Sequence, residues 1–294
     1  MKKLLLIGGP TGVGKTELAL KLQKLFNGKL ISCDSMQIYK DMNIGTSKID
    51  IKQYPHKLID IISPSDEFSV FDYKNYALKE IEKAYLENKL PIIVGGTGLY
   101  MKALLFPLSF NNSTKNLKLR TYYENLAIEK GNEFVFNILK EKDESLTKNL
   151  HPNNLKRVIR KLEILDNGEC KTDELKSEFD YELIVLNLDR EVLYEKINNR
   201  VDEMFSMGLE NEVKSVVQKY NLTRESQSMQ AIGYREFFDY FEGKISLEDV
   251  KSLIKQHTRN YAKRQLTWFK TMPNAKFFDI KDQENIIKYL KTHF

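Results

Sequence analysis

The fold is decided near the start of the chain by the stretch Leu4-Leu5-Leu6-Ile7-Gly8-Gly9-Pro10-Thr11-Gly12-Val13-Gly14-Lys15-Thr16. An apolar run typical of a buried strand leads directly into the pattern G-x-x-x-x-G-K-[ST], and a helical pattern follows. Glycines at these positions let successive backbone N–H groups surround a phosphate, while Lys15 adds a positive charge and the Thr16 hydroxyl can bind Mg²⁺. We therefore expect a di- or triphosphate to be bound by Gly9, Pro10, Thr11, Gly12, Val13, Gly14, Lys15 and Thr16.

Composition indicates a soluble globular protein, since 41% of the 294 residues are hydrophobic and 30% are charged. The net charge of +5 is too small to identify a partner. Cys33 and Cys170 are far apart and lack metal-ligand spacing, so we expect reduced thiols and no zinc site. No apolar run reaches the length of a membrane span or a secretion signal. We expect a cytoplasmic monomer without an evident protein partner.

Short apolar runs with strand character recur along the chain, at residues 4–7, 29–32, 57–62, 91–95 and 183–188, with a further short one at 276–280. Helical patterns separate the first four runs, which predicts parallel strands joined by crossover helices. The segment from 108 to 181 has no convincing strand signal, and it is bounded by a polar linker at 111–114 and a turn at 167–168. The sequence thus predicts an α/β fold: a P-loop kinase-like parallel sheet core flanked by helices (1–112 and 182–294), with an all-helical insertion domain at 113–181.

An acidic residue, Asp34, follows the second run directly. In an open parallel sheet the carboxyl ends of the strands face one crevice, so Asp34 is expected close to the phosphate loop. Three roles are open for its carboxylate: a general base, a magnesium ligand, or the cap of a helix.

The fourth run ends in the glycine-rich turn Val94-Gly95-Gly96-Thr97-Gly98-Leu99-Tyr100. Such glycines allow either a close approach of the backbone to a ligand or a tight turn between a strand and a helix. A P-loop nucleotide hydrolase would have an aspartate here to orient Mg²⁺, and this strand lacks one.

Basic residues concentrate in two helical patterns. One follows His151, and the other holds Lys251, Lys255, Arg259 and Lys263 at intervals of four residues, which forms one stripe on a helix. The stripe is either a solvated face or a track for nucleic-acid phosphates. The aromatic residues among these cations, such as Trp268, are either core residues or platforms on which bases stack.

Together these motifs resemble the tRNA dimethylallyltransferase family in its bacterial form. The resemblance extends over nearly the whole chain in family order, and its segments are GPTGVGKT at 9–16, DSMQIYKDMNIGT at 34–46, VGGTGLYMKALL at 94–105, HPNNLKRVIRKLE at 151–163, RVDEMFSMGLENEV at 200–213, QAIGYREF at 230–237 and TRNYAKRQLTWFK at 258–270. Small departures occur at Phe71, Tyr73 and Lys161, none of which is an expected catalytic group.

The resemblance implies a reaction. A dimethylallyl group would pass from dimethylallyl diphosphate to the exocyclic amine of the adenine 3′ to the anticodon, in tRNAs that read codons beginning with U. The phosphate loop would hold the diphosphate with Mg²⁺ on Thr16, and Asp34 would accept the proton of the amine. Thr11 and Arg235 would assist at the diphosphate.

The resemblance also implies a tRNA interface. The target base would leave its stack and enter a channel, and the insertion domain would clasp the anticodon stem. The residues expected to bind tRNA are Asp34, Ser35, Met36, Gln37, Thr97, Arg120, Lys156, Arg157, Val158, Ile159 and Arg160.

Two other functions share part of this pattern. A small-molecule or nucleoside kinase with a helical lid would have the same loop, sheet and arginines, but it does not explain the glycine-rich turn. A non-catalytic RNA-binding protein would bind tRNA without forming a covalent product.

Overall fold

The computed structural model describes residues 2–107, 116–148, 150–166 and 176–294. The expected linker at 111–114, the expected turn at 167–168 and Cys170 lie outside these residues. The elements follow one another in the order β1 (Lys3–Gly8), α1 (Lys15–Leu25), β2 (Gly28–Ser32), α2 (Val70–Leu86), β3 (Leu90–Val94), α3 (Gly98–Leu105), α4 (Leu117–Lys130), α5 (Asn132–Lys142), α6 (Leu155–Asp166), β4 (Asp180–Asn187), α7 (Arg190–Ser206), α8 (Leu209–Tyr220), α9 (Phe237–Phe241), α10 (Leu247–Phe269), β5 (Ala275–Asp279) and α11 (Gln283–Lys291), with short 3₁₀ helices at Glu144–Thr147 and Ser228–Gln230.

The sheet has five parallel strands in the order β2-β3-β1-β4-β5. Ile7 of the central strand β1 is in register with Val94 of β3 and with Ile184 of β4. Because every strand runs the same way, the segments that follow β1, β2 and β3 emerge at one edge of the sheet. This edge therefore holds the phosphate loop, Asp34 and the glycine-rich turn.

The side chains of β1 alternate between two hydrophobic layers. Leu4 and Leu6 pack with α2 and α3, whereas Leu5 and Ile7 pack with α1 and α11. All four are fully buried, so β1 and the loop that follows it are held by packing on both faces of the sheet.

The predicted strand at 57–62 is wrong. Only two isolated bridges form there, from Lys57 to Ile31 and from Ile62 to Tyr39. Leu58 and Asp60 have φ angles of 63° and 57°, which are incompatible with an extended strand. The expected crossover helix before this segment is also absent, since the chain runs through turns between β2 and α2. The apolar signal comes from Leu58 and Ile59, which are buried, and from Ile61 and Ile62, which are partly buried, in a segment without regular secondary structure.

The chain divides into two compact units, a core unit (Met1–Phe106 and Ser177–Phe294) and a helical unit (Pro107–Lys176). These bounds differ from the expected insertion at 113–181, because the strand β4 already begins at Asp180. In the helical unit, α4, α5 and α6 surround a small apolar core of their own. No helix in the described ranges combines the length and the apolar character needed to cross a membrane.

Candidate active site

The phosphate loop lies between β1 and α1 and borders a cavity of about 310 Å³. Gly9 has a φ angle of 139°, and a Cβ there would lie 2.7 Å from the carbonyl oxygen of Leu186. Only glycine fits this position. Of the eight residues expected to bind phosphate, Val13 is buried in the core, and Gly9 and Pro10 are buried and do not border the cavity. The cavity is bordered by the other five, Thr11, Gly12, Gly14, Lys15 and Thr16.

Lys15 is folded back onto the loop, where its Nζ donates to the carbonyl oxygens of Gly9 at 3.0 Å and Pro10 at 2.7 Å. Burial lowers the pKa of Lys15 to about 8, although the nearby carboxylate of Asp34 favours the charged form. The ammonium is therefore poorly compensated, and an anion bound in the cavity would stabilise its charge.

Asp34 borders the phosphate cavity and also a second cavity of about 250 Å³. Its Oδ1 accepts hydrogen bonds from the backbone N–H groups of Met36 at 2.8 Å and Gln37 at 3.3 Å. The carboxylate thus caps a turn, and no helix begins there. Within the described part of the chain, Oδ2 has no hydrogen-bond partner. One oxygen fixes the orientation of the side chain and the other is available for chemistry.

The second cavity has a partly apolar wall, which includes Met36, Met204 and Ile254. Five residues border both cavities, so the two spaces adjoin: these are Thr11, Asp34, Thr46, Arg200 and Tyr261. An anion and an acceptor group could therefore be bound side by side with Asp34 next to both.

Arg200, on α7, is a site residue that our sequence reasoning did not single out. Its Nη2 donates to Oγ1 of Thr11 at 2.9 Å. Burial lowers the pKa of Arg200 while Asp34 raises it, and its buried Nε has no partner among the residues described. The only sequence signal was its place at the start of the 200–213 segment.

Arg235 does not border the phosphate cavity. It borders the second cavity, and its Nε donates to the buried carboxylate of Glu236 at 2.8 Å. His257 approaches the same carboxylate oxygen through Nδ1 at 2.7 Å. The cation that the structure brings to the phosphate loop is Arg200 rather than Arg235.

Four of the residues expected to bind tRNA, Ser35, Met36, Gln37 and Thr97, lie around Asp34. Ser35 and Met36 border the second cavity, and Gln37 borders the phosphate cavity. Thr97 supports this segment, because its Oγ1 accepts the backbone N–H of Ser35 at 3.1 Å.

The glycine-rich turn after β3 is explained by its neighbours within the protein. A Cβ at Gly95 would lie 2.0 Å from the carbonyl oxygen of Cys33, and one at Gly98 would lie 2.0 Å from the ring of Trp268. Packing therefore requires these glycines, which favours the tight-turn alternative over close approach of the backbone to a ligand.

The basic stripe on α10 is not a free track for nucleic acid. Lys251 and Lys255 each approach the carboxylate of Asp202 at 2.7 Å, and Arg259 donates to Asn198 at 2.6 Å. Three members of the stripe are thus turned toward α7.

In the helical unit, Arg120 and Arg160 both bind the buried carboxylate of Glu163. Val158 and Ile159 are 0% and 3% exposed, so their side chains lie in the core of the helical unit, and their contact with tRNA stays a prediction. They are on the inner face of the amphipathic helix α6, whereas the side chains of Lys156 and Arg157 are exposed.

The oxygen donors at the phosphate cavity fit a magnesium ion that substrate phosphates would largely hold. The exposed Thr16 hydroxyl and the Asp34 carboxylate border this cavity. Throughout the described ranges there is no cluster of three or more His, Cys, Asp or Glu side chains able to hold a metal. Mg²⁺ typically needs only one or two protein oxygens when phosphates and water complete its shell.

A family model described as IPP transferase matches residues 37–272. The chain belongs to the IPP transferase family. It is 44% identical over 303 aligned residues to the tRNA dimethylallyltransferase of Bacillus cereus (strain B4264), with 99% of this chain and 95% of that protein covered. The tRNA dimethylallyltransferase of Bacillus anthracis is also 44% identical, over 99% of this chain and 96% of its own length.

Solved structures that are similar to this chain belong to the same class of enzyme. The tRNA isopentenylpyrophosphate transferase of Bacillus halodurans is 38% identical with a TM-score of 0.75, covering 100% of this chain and 97% of that one. A eukaryotic dimethylallyltransferase acting on tRNA is 28% identical with a TM-score of 0.82, covering 100% and 81%. The predicted fold class is confirmed, and this member of the IPP transferase family is a tRNA-modifying transferase. The kinase alternative is not supported.

Proposed function

We propose that this protein transfers a dimethylallyl group from dimethylallyl diphosphate to the exocyclic amine of the adenine 3′ to the anticodon and releases diphosphate. Its substrates would be tRNAs that read codons beginning with U. The observation that carries the proposal is the position of Asp34, which borders both the phosphate cavity and the adjoining second cavity. A base in this position can reach an amine that attacks a diphosphate ester.

The phosphate cavity has the charges that a departing diphosphate needs. Negative charge builds on the bridging oxygen as the allylic C–O bond breaks, and preorganised donors near that oxygen lower the barrier. Loop N–H groups, Lys15 and Arg200 supply such donors. A magnesium ion on the Thr16 hydroxyl would neutralise further charge on the diphosphate.

Asp34 is the proposed general base. The amine of adenine is a weak nucleophile because its lone pair is delocalised into the ring, and it must lose a proton as the new C–N bond forms. Oδ2 of Asp34 accepts this proton while the two amides on Oδ1 hold the carboxylate in place. A well-placed base contributes typically about 10²–10⁴-fold to the rate.

The tRNA requires contacts of its own, because extruding a base from its stack costs a few kcal/mol. Ser35, Met36 and Gln37 border the cavities and are proposed to read the adenine. The exposed Lys156 and Arg157 of the helical unit are proposed to bind phosphates of the anticodon arm.

One experiment tests the proposal directly. The protein is incubated with labelled dimethylallyl diphosphate, Mg²⁺ and total tRNA, and label is measured in the RNA. We expect label in the RNA and release of diphosphate. Binding of tRNA without a covalent product would instead favour the non-catalytic RNA-binding alternative. In a parallel incubation with labelled ATP, phosphate transfer to a small acceptor would favour a kinase.

A further inference from the structure

We propose that Gln265, on α10, is a positioning residue that fixes the spacing between the phosphate loop and the turn after β3. Through these two segments it would set the distance between the leaving group and the catalytic base. The inference rests on the proposed function, because it concerns the geometry of the same reaction.

The side chain of Gln265 is 5% exposed and bridges two loops. Its Oε1 accepts the backbone N–H of Thr11 at 2.9 Å, and its Nε2 donates to the carbonyl oxygen of Gly96 at 3.0 Å. The amide of Gln265 thus pairs with a backbone donor that follows β1 and with a backbone acceptor that follows β3. The bond to Thr11 spans 254 residues of sequence.

The turn is shaped to receive this amide. A Cβ at Gly96 would lie 2.0 Å from Nε2 of Gln265 and 3.5 Å from the carbonyl oxygen of Gly9. Glycine at this position therefore lets the turn, the phosphate loop and Gln265 meet. The contact accounts for one of the three glycines where a nucleotide hydrolase would have its metal-orienting aspartate.

Both ends of the bridge lead to groups proposed to take part in the reaction. At one end the Thr11 N–H is committed to Gln265, and the hydroxyl of the same residue accepts from Arg200. At the other end Thr97 follows Gly96, and its hydroxyl accepts the N–H of Ser35, next to Asp34. A shift of the amide would therefore move the diphosphate site relative to the base. A misplacement of about 1 Å can cost about 10²-fold in rate.

Gln265→Glu separates positioning from simple stability. The variant keeps the acceptor for Thr11 but, when ionised, places a carboxylate oxygen against the Gly96 carbonyl. When protonated it can donate to that carbonyl again, and burial raises the pKa of such a carboxyl. At about pH 8 we expect kcat at least about tenfold below wild type and the KM for tRNA changed less than about threefold. The KM for dimethylallyl diphosphate should rise as well, because Gln265 borders the phosphate cavity and the ionised carboxylate repels an anion there. Relative to wild type, kcat should recover as the pH falls toward about 6.

The chain offers a matched control in Gln227, whose amide makes the same pair of bonds to a backbone elsewhere. Its Oε1 accepts the N–H of Phe68 at 3.0 Å and its Nε2 donates to the carbonyl of Phe68 at 2.7 Å. Gln227 borders neither cavity. Gln227→Glu should therefore follow the wild-type pH profile of kcat.

A second variant pair checks the contact itself. Gly96→Ala should lower kcat as Gln265→Ala does, and the double variant should be no slower than the slower single one, because both changes break the same bridge. The proposal is overturned if Gln265→Glu tracks wild type at every pH, or if the two single effects add. Failure of the proposed function looks different, since the wild-type protein itself would then put no label into RNA.

Discussion

In the core unit Lys15 and Arg200 border an open cavity, whereas in the helical unit Arg120 and Arg160 converge on one buried carboxylate, Glu163. The Lys15 ammonium donates hydrogen bonds only to backbone carbonyl oxygens among the described residues. The Nε of Arg200 is buried without a hydrogen-bond partner among the described atoms. Glu163, in contrast, accepts hydrogen bonds from the guanidinium groups of both Arg120 and Arg160.

The two units thus differ in where their cations find a negative charge. Cations that form no ion pair with a protein carboxylate are suited to bind a ligand, whereas cations paired with a buried carboxylate stabilise the fold. A buried charge needs a partner, and the partner comes either from the protein or from outside it. The helical unit contains its own anion. Lys15 and Arg200 of the core unit form no ion pair with a carboxylate among the described residues, and we propose that a diphosphate fills the cavity. These two cations should therefore control catalysis, while those around Glu163 should control stability.

The largest effect is expected from Asp34→Asn. Asparagine keeps an oxygen for the Met36 and Gln37 amides but cannot accept the proton of the adenine amine. We expect prenyl transfer to fall by about 10²–10⁴-fold while tRNA affinity stays within a few-fold, as measured by single-turnover labelling and by filter binding. Unchanged turnover in this variant would contradict the assignment of Asp34 as the general base.

Next comes Arg200→Lys, which removes the guanidinium at the phosphate loop and keeps a charge. We expect the single-turnover rate to fall by about 10²–10³-fold, since one preorganised donor to the leaving group is lost. Arg259→Lys is the control, because Arg259 lies on the stripe that contacts Asn198. Equal losses in the two variants would contradict the special role of Arg200.

Glu163→Gln should affect stability. Burial raises the pKa of Glu163, but the hydrogen bonds of Arg120 and Arg160 outweigh it and hold the pKa below its usual value of 4.5. The ion pairs thus stabilise the folded state above that value, and the contribution is lost as pH falls through the lowered pKa. At neutral pH we expect the variant to lose about 2 kcal/mol in the free energy of unfolding.

Glu144→Gln is the matched control for that experiment, because Glu144 pairs with Lys140 at the surface of the same unit. Surface pairs contribute little, so denaturant melts of this variant should resemble those of wild type. If the Glu163→Gln protein is as stable as wild type at neutral pH, the ion pairs of Arg120 and Arg160 do not stabilise the fold and the assignment is wrong.

The protonation of Lys15 should appear in anion binding. Its pKa is about 8 because of burial, and a bound diphosphate would raise it. Affinity for inorganic diphosphate should therefore weaken as pH rises above 8, by up to about tenfold per unit. Calorimetry on Lys15→Arg corrects for the titration of diphosphate itself, because arginine stays charged. Identical pH profiles in both proteins would contradict the assignment.

The smallest effect is expected at the exposed cations of the helical unit. Lys156→Ala and Arg157→Ala should each reduce the slope of log affinity for tRNA against log salt by about one, measured between about 50 and 200 mM. Lys140→Ala serves as the control, since Lys140 is paired with Glu144. A flat salt dependence in the wild-type protein would exclude this mode of binding.

Some of these features could be predicted because their physical causes are local. The phosphate loop needs glycines and a lysine at fixed spacing between a strand and a helix, so it can be recognised in one continuous stretch of sequence. The same holds for Asp34, which follows β2 at the edge where parallel strands end. The catalytic role of Asp34 stays a prediction, although the fold that brings it beside the loop is confirmed.

Other features were missed in the sequence because its patterns do not show which neighbour a residue meets. Leu58 and Ile59 of the run at 57–62 are buried without forming a strand, since Leu58 and Asp60 have positive φ angles. Val158 and Ile159 lie among basic residues in sequence, yet the helical period turns them into the core of their unit.

By itself the sequence determined the α/β core, the phosphate-binding loop and the family to which the chain belongs, because each depends on short segments with strict local requirements. Tertiary structure alone decided which distant side chains complete the site. Arg200 reaches Thr11 across 189 residues and Gln265 reaches it across 254. Those contacts depend on how α7 and α10 pack against the edge of the sheet. Residue spacing within a helix indicates which face is buried but not which distant residue that face contacts.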